Sequence, residues 1–292
     1  MIPSHIRRLP CQTQRLFREN SSIPDFSYFN PSSAYPYVYV RATEKLETTL
    51  AQVSHMFLYS YKTDSMIMVD IPDGILYPSC NYYQGIEDTR ILMYHGRLWF
   101  VSTSTHVSST MRSEMMIGYF SQDTKNIEFC QHLDLGMRPV KNICPFQHHN
   151  SLFLLDTYTL TMYRVIEEKS KTLIVEVICT LEPCHGMLCC RVRGSTSPIH
   201  LHGNLYGCIV HEHIPKASGG AFAYISYWME FDMERQAVTF FSAPFFITCL
   251  GIEFISGIEY NPEKDTVELY LGFKDKVPIV AYTTLHDLRV GE

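Results

Sequence analysis

The chain has 292 residues, 46% of them hydrophobic and 18% charged, which excludes a disordered polypeptide and suits one large domain or two small ones. A formal net charge of -6 argues against a general nucleic-acid or anionic-membrane surface, and no apolar run reaches the roughly 18 residues of a membrane helix. Aromatic residues make up 13%, with 19 Tyr and 17 Phe, a bias toward strands.

The first 18 residues carry Arg7, Arg8, Arg15 and Arg18 and no acid. They lack a secretory apolar core, which leaves a flexible arm or a transit peptide. Residues 1–25 are read as an arm ahead of a single domain over 26–292. The ten cysteines are scattered, mostly within apolar stretches. Cys184, Cys189 and Cys190 lie near His185 without a second ligand pair, so free buried thiols, no metal and a reducing, cytoplasmic compartment are expected.

Along the chain, a turn followed by an apolar pair recurs. His95-Gly96 before Leu98-Trp99 returns 54 residues on as His149-Asn150 before Leu152-Phe153, and 53 further on as His202-Gly203 before Leu205-Tyr206. Looser copies stand at 32–36 and 261–265. Repeats of this length fit propeller blades, not a helical solenoid. The second repeat predicts strands at 91–94, 98–101, 115–120 and 127–133. The third predicts 143–146, 152–155, 162–166 and 173–179, and the fourth 199–202, 205–210, 224–231 and 237–241. The fifth supplies three, which leaves room for an N-terminal strand to close the ring. Only 42–54 reads as helix-like. The expected fold is all-β, a five-bladed β-propeller.

In such a fold the first strand of each blade lines the central channel. The five entries carry Asn30, Glu87-Asp88, Lys141-Asn142, Arg191 with Arg193, and the stretch from Glu253 to Ser256. Second strands end near Arg41, Thr103 to His106, Asp156, His211 and Asp275. Polar residues in register across five repeats predict a mixed-charge funnel at one mouth, suited to a hydroxyl-rich or phosphate-bearing ligand. Taken singly, each reads first as a strand-end residue satisfying backbone groups, and Asp88 with Arg90 reads also as a simple ion pair; only their co-occurrence in register favours a site.

Several segments resemble a known family. Tyr28-Phe29-Asn30-Pro31-Ser32 with Tyr37-Val38-Tyr39-Val40-Arg41, Gly85-Ile86-Glu87-Asp88-Thr89-Arg90-Ile91, Lys141-Asn142-Ile143-Cys144-Pro145-Phe146, Val210-His211, Tyr224, and Phe254-Ile255-Ser256-Gly257 with Leu271-Gly272-Phe273-Lys274-Asp275 are similar to segments of the five-bladed inverting β-mannoside phosphorylases. Relatives in that family include hydrolases and β-1,2-mannosyltransferases. The resemblance implies Asp88 as general acid, Asp275 on the sugar, and His211 and Tyr224 lining the sugar or phosphate site. With the register added, Asn30, Arg41, Glu87, Arg90, Asp156, Tyr224 and Asp275 are expected on the sugar and Lys141, Arg193 and His211 on phosphate. It implies no cofactor beyond phosphate or a sugar phosphate as co-substrate. Partners would be an oligosaccharide or sugar-phosphate substrate, with no nucleic acid or membrane, and an oligomer open. Thr89 stands where the family usually has Pro, and only Thr105, His106 and Arg112 follow where phosphorylases carry further arginines. Hydrolysis would need a carboxylate base such as Asp156, Glu259 or Asp275. A nucleotide-sugar-dependent transferase and a non-enzymatic glycan- or protein-binding propeller are the alternatives.

Overall fold

Short segments of β-branched and aromatic residues between tight turns favour hairpins whose length the turns set. The computed structural model describes residues 6–17, 26–44, 52–71, 83–105, 113–133, 135, 141–167, 172–187, 191–214, 223–274 and 277–290. Strands dominate them. The α-helix among them is the single turn Leu285–Leu288, capped by the Thr284 hydroxyl.

The repeated turn signal corresponds to repeated backbone geometry. His95 and Gly96 both have positive φ (49° and 73°) between strands Tyr83–Tyr94 and Arg97–Thr105, as a two-residue hairpin with right-handed twist requires. His149 (51°) and Gly203 (54°) adopt the same conformation in the next two repeats. Each strand expected in the second, third and fourth repeats overlaps an observed one.

In the third repeat Cys144–His148, Ser151–Asp156, Thr161–Glu167 and Leu173–Thr180 form one antiparallel sheet in chain order. In the last, Glu253–Asn261, Thr266–Phe273 and Val277–Thr283 are completed by Gln12–Arg15, which pairs Gln12 with Tyr282 and Arg15 with Ile279. The closing strand thus comes from the segment read as an arm. Arg7–Arg8 also joins Phe245–Phe246, in a seven-stranded sheet built around Leu205–Ile214 and Ala223–Asp232.

Two expectations need correction. Among the described residues the strands form four sheets, not the five blades expected. Strands Phe26–Ala34, Tyr37–Glu44, Gln52–Ser60 and Ser65–Met68 share one eight-stranded sheet with Tyr83–Tyr94, Arg97–Thr105, Ser113–Phe120 and Ile127–Leu133. A short parallel ladder, Gln52 to Tyr83 through Ser54 to Gly85, joins the two sets. The helix expected at 42–54 is also absent among the described residues of that span. Ala42 pairs with His55 and Thr43 with Ser54, so cross-strand bonds satisfy the backbone where weak helix propensity would not. Residues 45–51 lie outside the described set.

Buried clusters draw on successive neighbours around the ring. Tyr39 and Leu58 meet Ile91 and Phe100; Val101 and Ile117 meet Leu152 and Leu154; Phe146 and Leu155 meet Val210 and Phe231. Ile209 and Trp228 meet Ile255 and Leu269, and Tyr270 and Val280 return to Val38 and Phe57. First strands pack on one another near the axis, with Glu253–Asn261 on Phe26–Ala34, Phe26–Ala34 on Tyr83–Tyr94, and Tyr83–Tyr94 on Cys144–His148. The result is an all-β propeller.

Leu9 is 1% exposed and packs with Trp228 and Phe245, so the N-terminal segment is part of the core. Leu9→Ala should lower the unfolding free energy by about 2–5 kcal/mol in urea titrations, as for other buried leucines. A loss below about 0.5 kcal/mol would mean that the segment is a loose arm after all.

Candidate functional site

Three inner-strand entries share one unusual conformation. Asn30, Asp88 and Asn142 have φ of 50°, 49° and 62°, the left-handed region that Asn and Asp tolerate better than other side-chain-bearing residues. At the first two, the ladder to the neighbouring strand skips, between Phe29 and Ser32 and between Glu87 and Arg90. A comparable skip lies between Ile255 and Gly257, where the Ser256 hydroxyl donates to the Pro31 carbonyl at 2.8 Å. Bulges re-aim side chains, and these act on neighbouring first strands.

The bulges bring Asn30 and Asp88 together. The Asn30 amide donates to Asp88 Oδ1 at 3.4 Å, and Asn30 Oδ1 is buried without a partner among the described residues. Beside them, Arg41 donates to Glu87 at 2.6 Å and to the Ser54 hydroxyl at 3.0 Å, with its guanidinium 4.9 Å from the centre of the Phe29 ring. Both partners of this ion pair are largely buried, so Glu87 meets Arg41 and not a free cavity.

Arg90 is fully buried. It reaches Asp88 through the backbone carbonyl rather than the carboxylate, which corrects the reading of these two as an ion pair. Its other bonds run to the Ser195 carbonyl at 2.9 Å, the Asn142 side chain at 3.1 Å and the Gly194 carbonyl at 3.3 Å, with Phe254 beneath it at 5.2 Å. Arg90 therefore fastens three chain entries to one another. Four of its five N–H donors are engaged within the fold, which gives Arg90 a scaffold role beyond the sugar contact expected of it.

On the far side of Arg90, His211 is 2% exposed and its Nδ1 lies 2.8 Å from the Ser195 hydroxyl. Burial first, then the charges of Arg90, His213 and Arg193, hold its pKa well below the ordinary histidine value, so it is neutral at pH 7. This corrects its expected place among the cationic phosphate donors. Tyr224 and Phe254 pack edge-on against it at 5.3 and 5.1 Å. Arg193 is exposed and pairs with His211 across the ladder. Lys141, also exposed, immediately precedes Asn142.

Contacts thus link Asn30, Arg41, Glu87, Asp88, Arg90, Arg193, His211 and Tyr224 into one region. Asp156 is not joined to it by these bonds. Its two oxygens accept from the Tyr158 amide (3.1 Å) and the Thr159 hydroxyl (2.7 Å), which is turn chemistry. Glu259 faces the Tyr35 amide (3.3 Å) beside the hairpin at the other end of its strand. Asp275 lies outside the described residues. Ser195 and Phe254 belong to the region although sequence reasoning assigned them no role; a serine beside Arg193 carries no charge signal, and Phe254 reads as ordinary core. Glu253 is also structural, accepting from the amides of Ile247, Thr248 and Cys249 at 2.7–2.8 Å. No group of three His, Cys, Asp or Glu among the described residues is placed to hold a metal.

Neither a family model nor a curated protein sequence matches the chain. Solved structures do. The chain is similar to MPT-4, a mannose phosphorylase from Leishmania mexicana solved with phosphate, at 14% identity and a TM-score of 0.62 over 96% of this chain and 89% of that one. It is similar to MPT-1, a GDP-Man-dependent mannosyltransferase of the same organism, at 13% and 0.64 over 96% and 92%. It also resembles the RS223 β-xylosidase, at 10% and 0.55 over 92% and 94%. Identities this low establish the shared propeller fold.

Two measurements probe the region. Arg90→Met leaves several buried acceptors without a donor, and should cost about 3–5 kcal/mol in urea unfolding; a loss below 1 kcal/mol, on the order of a surface change, would contradict the scaffold role. For His211 the depressed pKa means that the unfolded chain binds more protons than the fold below pH ~6.5. Stability is full above that pH and is lost as pH falls below it, by at most about 1.4 kcal/mol per unit from this residue. His211→Gln should flatten that acid limb in urea midpoints taken between pH 7.5 and 5.5. Identical slopes would refute the assignment.

Proposed function

We propose that the chain is a carbohydrate-active enzyme that transfers a β-mannosyl group with inversion, using phosphate as acceptor and Asp88 as general acid. The observation that carries this reading is the setting of Asp88. It sits on a left-handed bulge of an inner strand, half-buried, and its carboxylate bonds to the neutral Asn30 amide while Arg41 and Arg90 are engaged elsewhere. A carboxyl group whose side-chain bond is to a neutral amide, with neither arginine bonded to its oxygens, is open to a substrate hydroxyl or glycosidic oxygen. The likeness to MPT-4, whose structure holds phosphate, supports the choice of acceptor.

In the step proposed, the Asp88 proton passes to the glycosidic oxygen, directly or through a sugar hydroxyl, as the bond from that oxygen to the anomeric carbon breaks. A phosphate oxygen forms the new bond from the opposite face. The departing sugar leaves as an alcohol, the product is mannose 1-phosphate, and Asp88 regains a proton from phosphate or water. Lys141 and Arg193 supply positive charge to the phosphate. Neutral His211 contributes a ring N–H, its other nitrogen being held by Ser195. Sugar contacts fall to Asn30 and Tyr224, with Asp275 completing them. Arg41 and Glu87 act as a fixed pair at the rim.

Hydrolysis would need a carboxylate base about 6.5–9.5 Å from the acid. Of the three candidates, Asp156 bonds within its turn and Glu259 at the hairpin end of its strand, which supports phosphate over water at those two positions, while Asp275 lies outside the described residues. Direct mannosyl transfer from a nucleotide sugar is the second reading, favoured by the likeness to MPT-1.

Asp88→Asn should lower kcat by about 10²–10⁴-fold and leave mannoside affinity within about threefold. Lys141→Ala should raise the phosphate requirement at least roughly tenfold, the loss of about 1.4 kcal/mol. Mannoside turnover equal with and without phosphate would overturn the reading. Release of GDP from GDP-mannose, with no phosphorolysis, would replace it by the second.

A further inference from the structure

The hairpin end of the last and first inner strands holds a cavity of about 400 Å³, within the range that small ligands occupy. It shares no residue with the Asp88 region. The lining residue on this strand nearest Asn30 is Ser33, three residues on or roughly 10 Å at the usual rise, so the cavity lies further along the inner strands toward their hairpin end.

Six of the eleven lining residues are tyrosine, two are glutamate, and none is Lys, Arg or His. Tyr35 and Tyr61 stack at 6.4 Å with 21° between their planes, 69% and 40% exposed, which is unusual for large aromatic residues outside an interface. Deeper in, Tyr270 donates to Glu268 at 2.8 Å and its oxygen lies 3.4 Å from that of Tyr61. Glu259 accepts from the Tyr35 amide at 3.3 Å. Burial foremost, opposed by hydrogen bonds from Tyr35 and Ser33, raises the Glu259 pKa, and the charge of Glu268 adds to the rise. Ring faces carry negative quadrupole potential, and two carboxylates without a cation in the lining add to it.

We infer that this cavity binds a small organic ammonium ion, primary or quaternary, through the tyrosine rings and the Glu259 and Glu268 carboxylates. A neutral sugar would use the rings and hydroxyls but would leave the two acids uncompensated. An anion is excluded by the charge of the lining. The site is independent of the mannosyl-transfer reading.

The test is isothermal titration of choline, and of its neutral carbon isostere 3,3-dimethylbutan-1-ol, into the full-length protein at pH 7.5. Choline should bind saturably with a Kd of about 1 mM or tighter, and the isostere at least roughly tenfold more weakly. Glu268→Gln and Tyr61→Ala should each weaken choline at least about fivefold while keeping the wild-type Tm without ligand. Asp88→Asn should bind choline as the wild type does. Absence of choline binding, equal affinity for the isostere, or unchanged affinity in both cavity variants would overturn the proposal. Loss of choline binding in Asp88→Asn would do so too, by tying it to the Asp88 region.

Discussion

A buried guanidinium with no carboxylate partner is costly, because desolvation of the charge must be met by hydrogen bonds in fixed geometry. Arg90 meets that demand with the carbonyls of Asp88, Gly194 and Ser195 and the side chain of Asn142. Each acceptor comes from a chain entry near the axis, so the cost is met only when those entries are in place together. The left-handed turns at Asp88 and Asn142 present two of these acceptors. Gly194 presents another, and a Cβ there would come within 2.3 Å of both the Asn142 carbonyl and the Cys144 sulfur.

The same charge shapes the chemistry around it. His211 stays neutral partly because Arg90 is close, and Ser195, whose carbonyl receives Arg90, holds the His211 ring with its hydroxyl. Positive potential reaches the region from a residue most of whose donors are bonded within the fold. Asp88 is presented by the segment that Arg90 fastens, yet its carboxylate is left to Asn30. Scaffold and acid are thereby separated within three residues of sequence.

Much of the architecture was legible because hairpins leave a local signal. The His-Gly and His-Asn turns mark positive φ, and the apolar runs beside them mark strands, so the repeats could be placed along the chain, but their count of five did not survive the merging of the first two sets of strands into one sheet. The parallel ladder from Gln52 to Ser54 was not legible, since it depends on how neighbouring repeats meet and has no local turn signature. Nor was the docking of Leu9, one apolar residue in a basic stretch. In the candidate site, the shared register of Asn30 and Asp88 matches their contact in space, whereas the bonds of Arg90 and Arg41 within the fold could not be read from their charge. Whether a charged side chain faces a ligand or a neighbouring backbone is decided by three-dimensional partners such as the Gly194 carbonyl, and sequence periodicity does not encode them.

In the function proposed, Asp88 protonates the leaving group while phosphate attacks from the opposite face of the sugar. Proton and phosphorus NMR of the first product formed from a β-mannoside and phosphate tests it most directly, by reading the anomeric configuration before any equilibration. The account predicts α-mannose 1-phosphate from the wild-type protein. A β-configured phosphate, or free mannose with no phosphate ester, would contradict it.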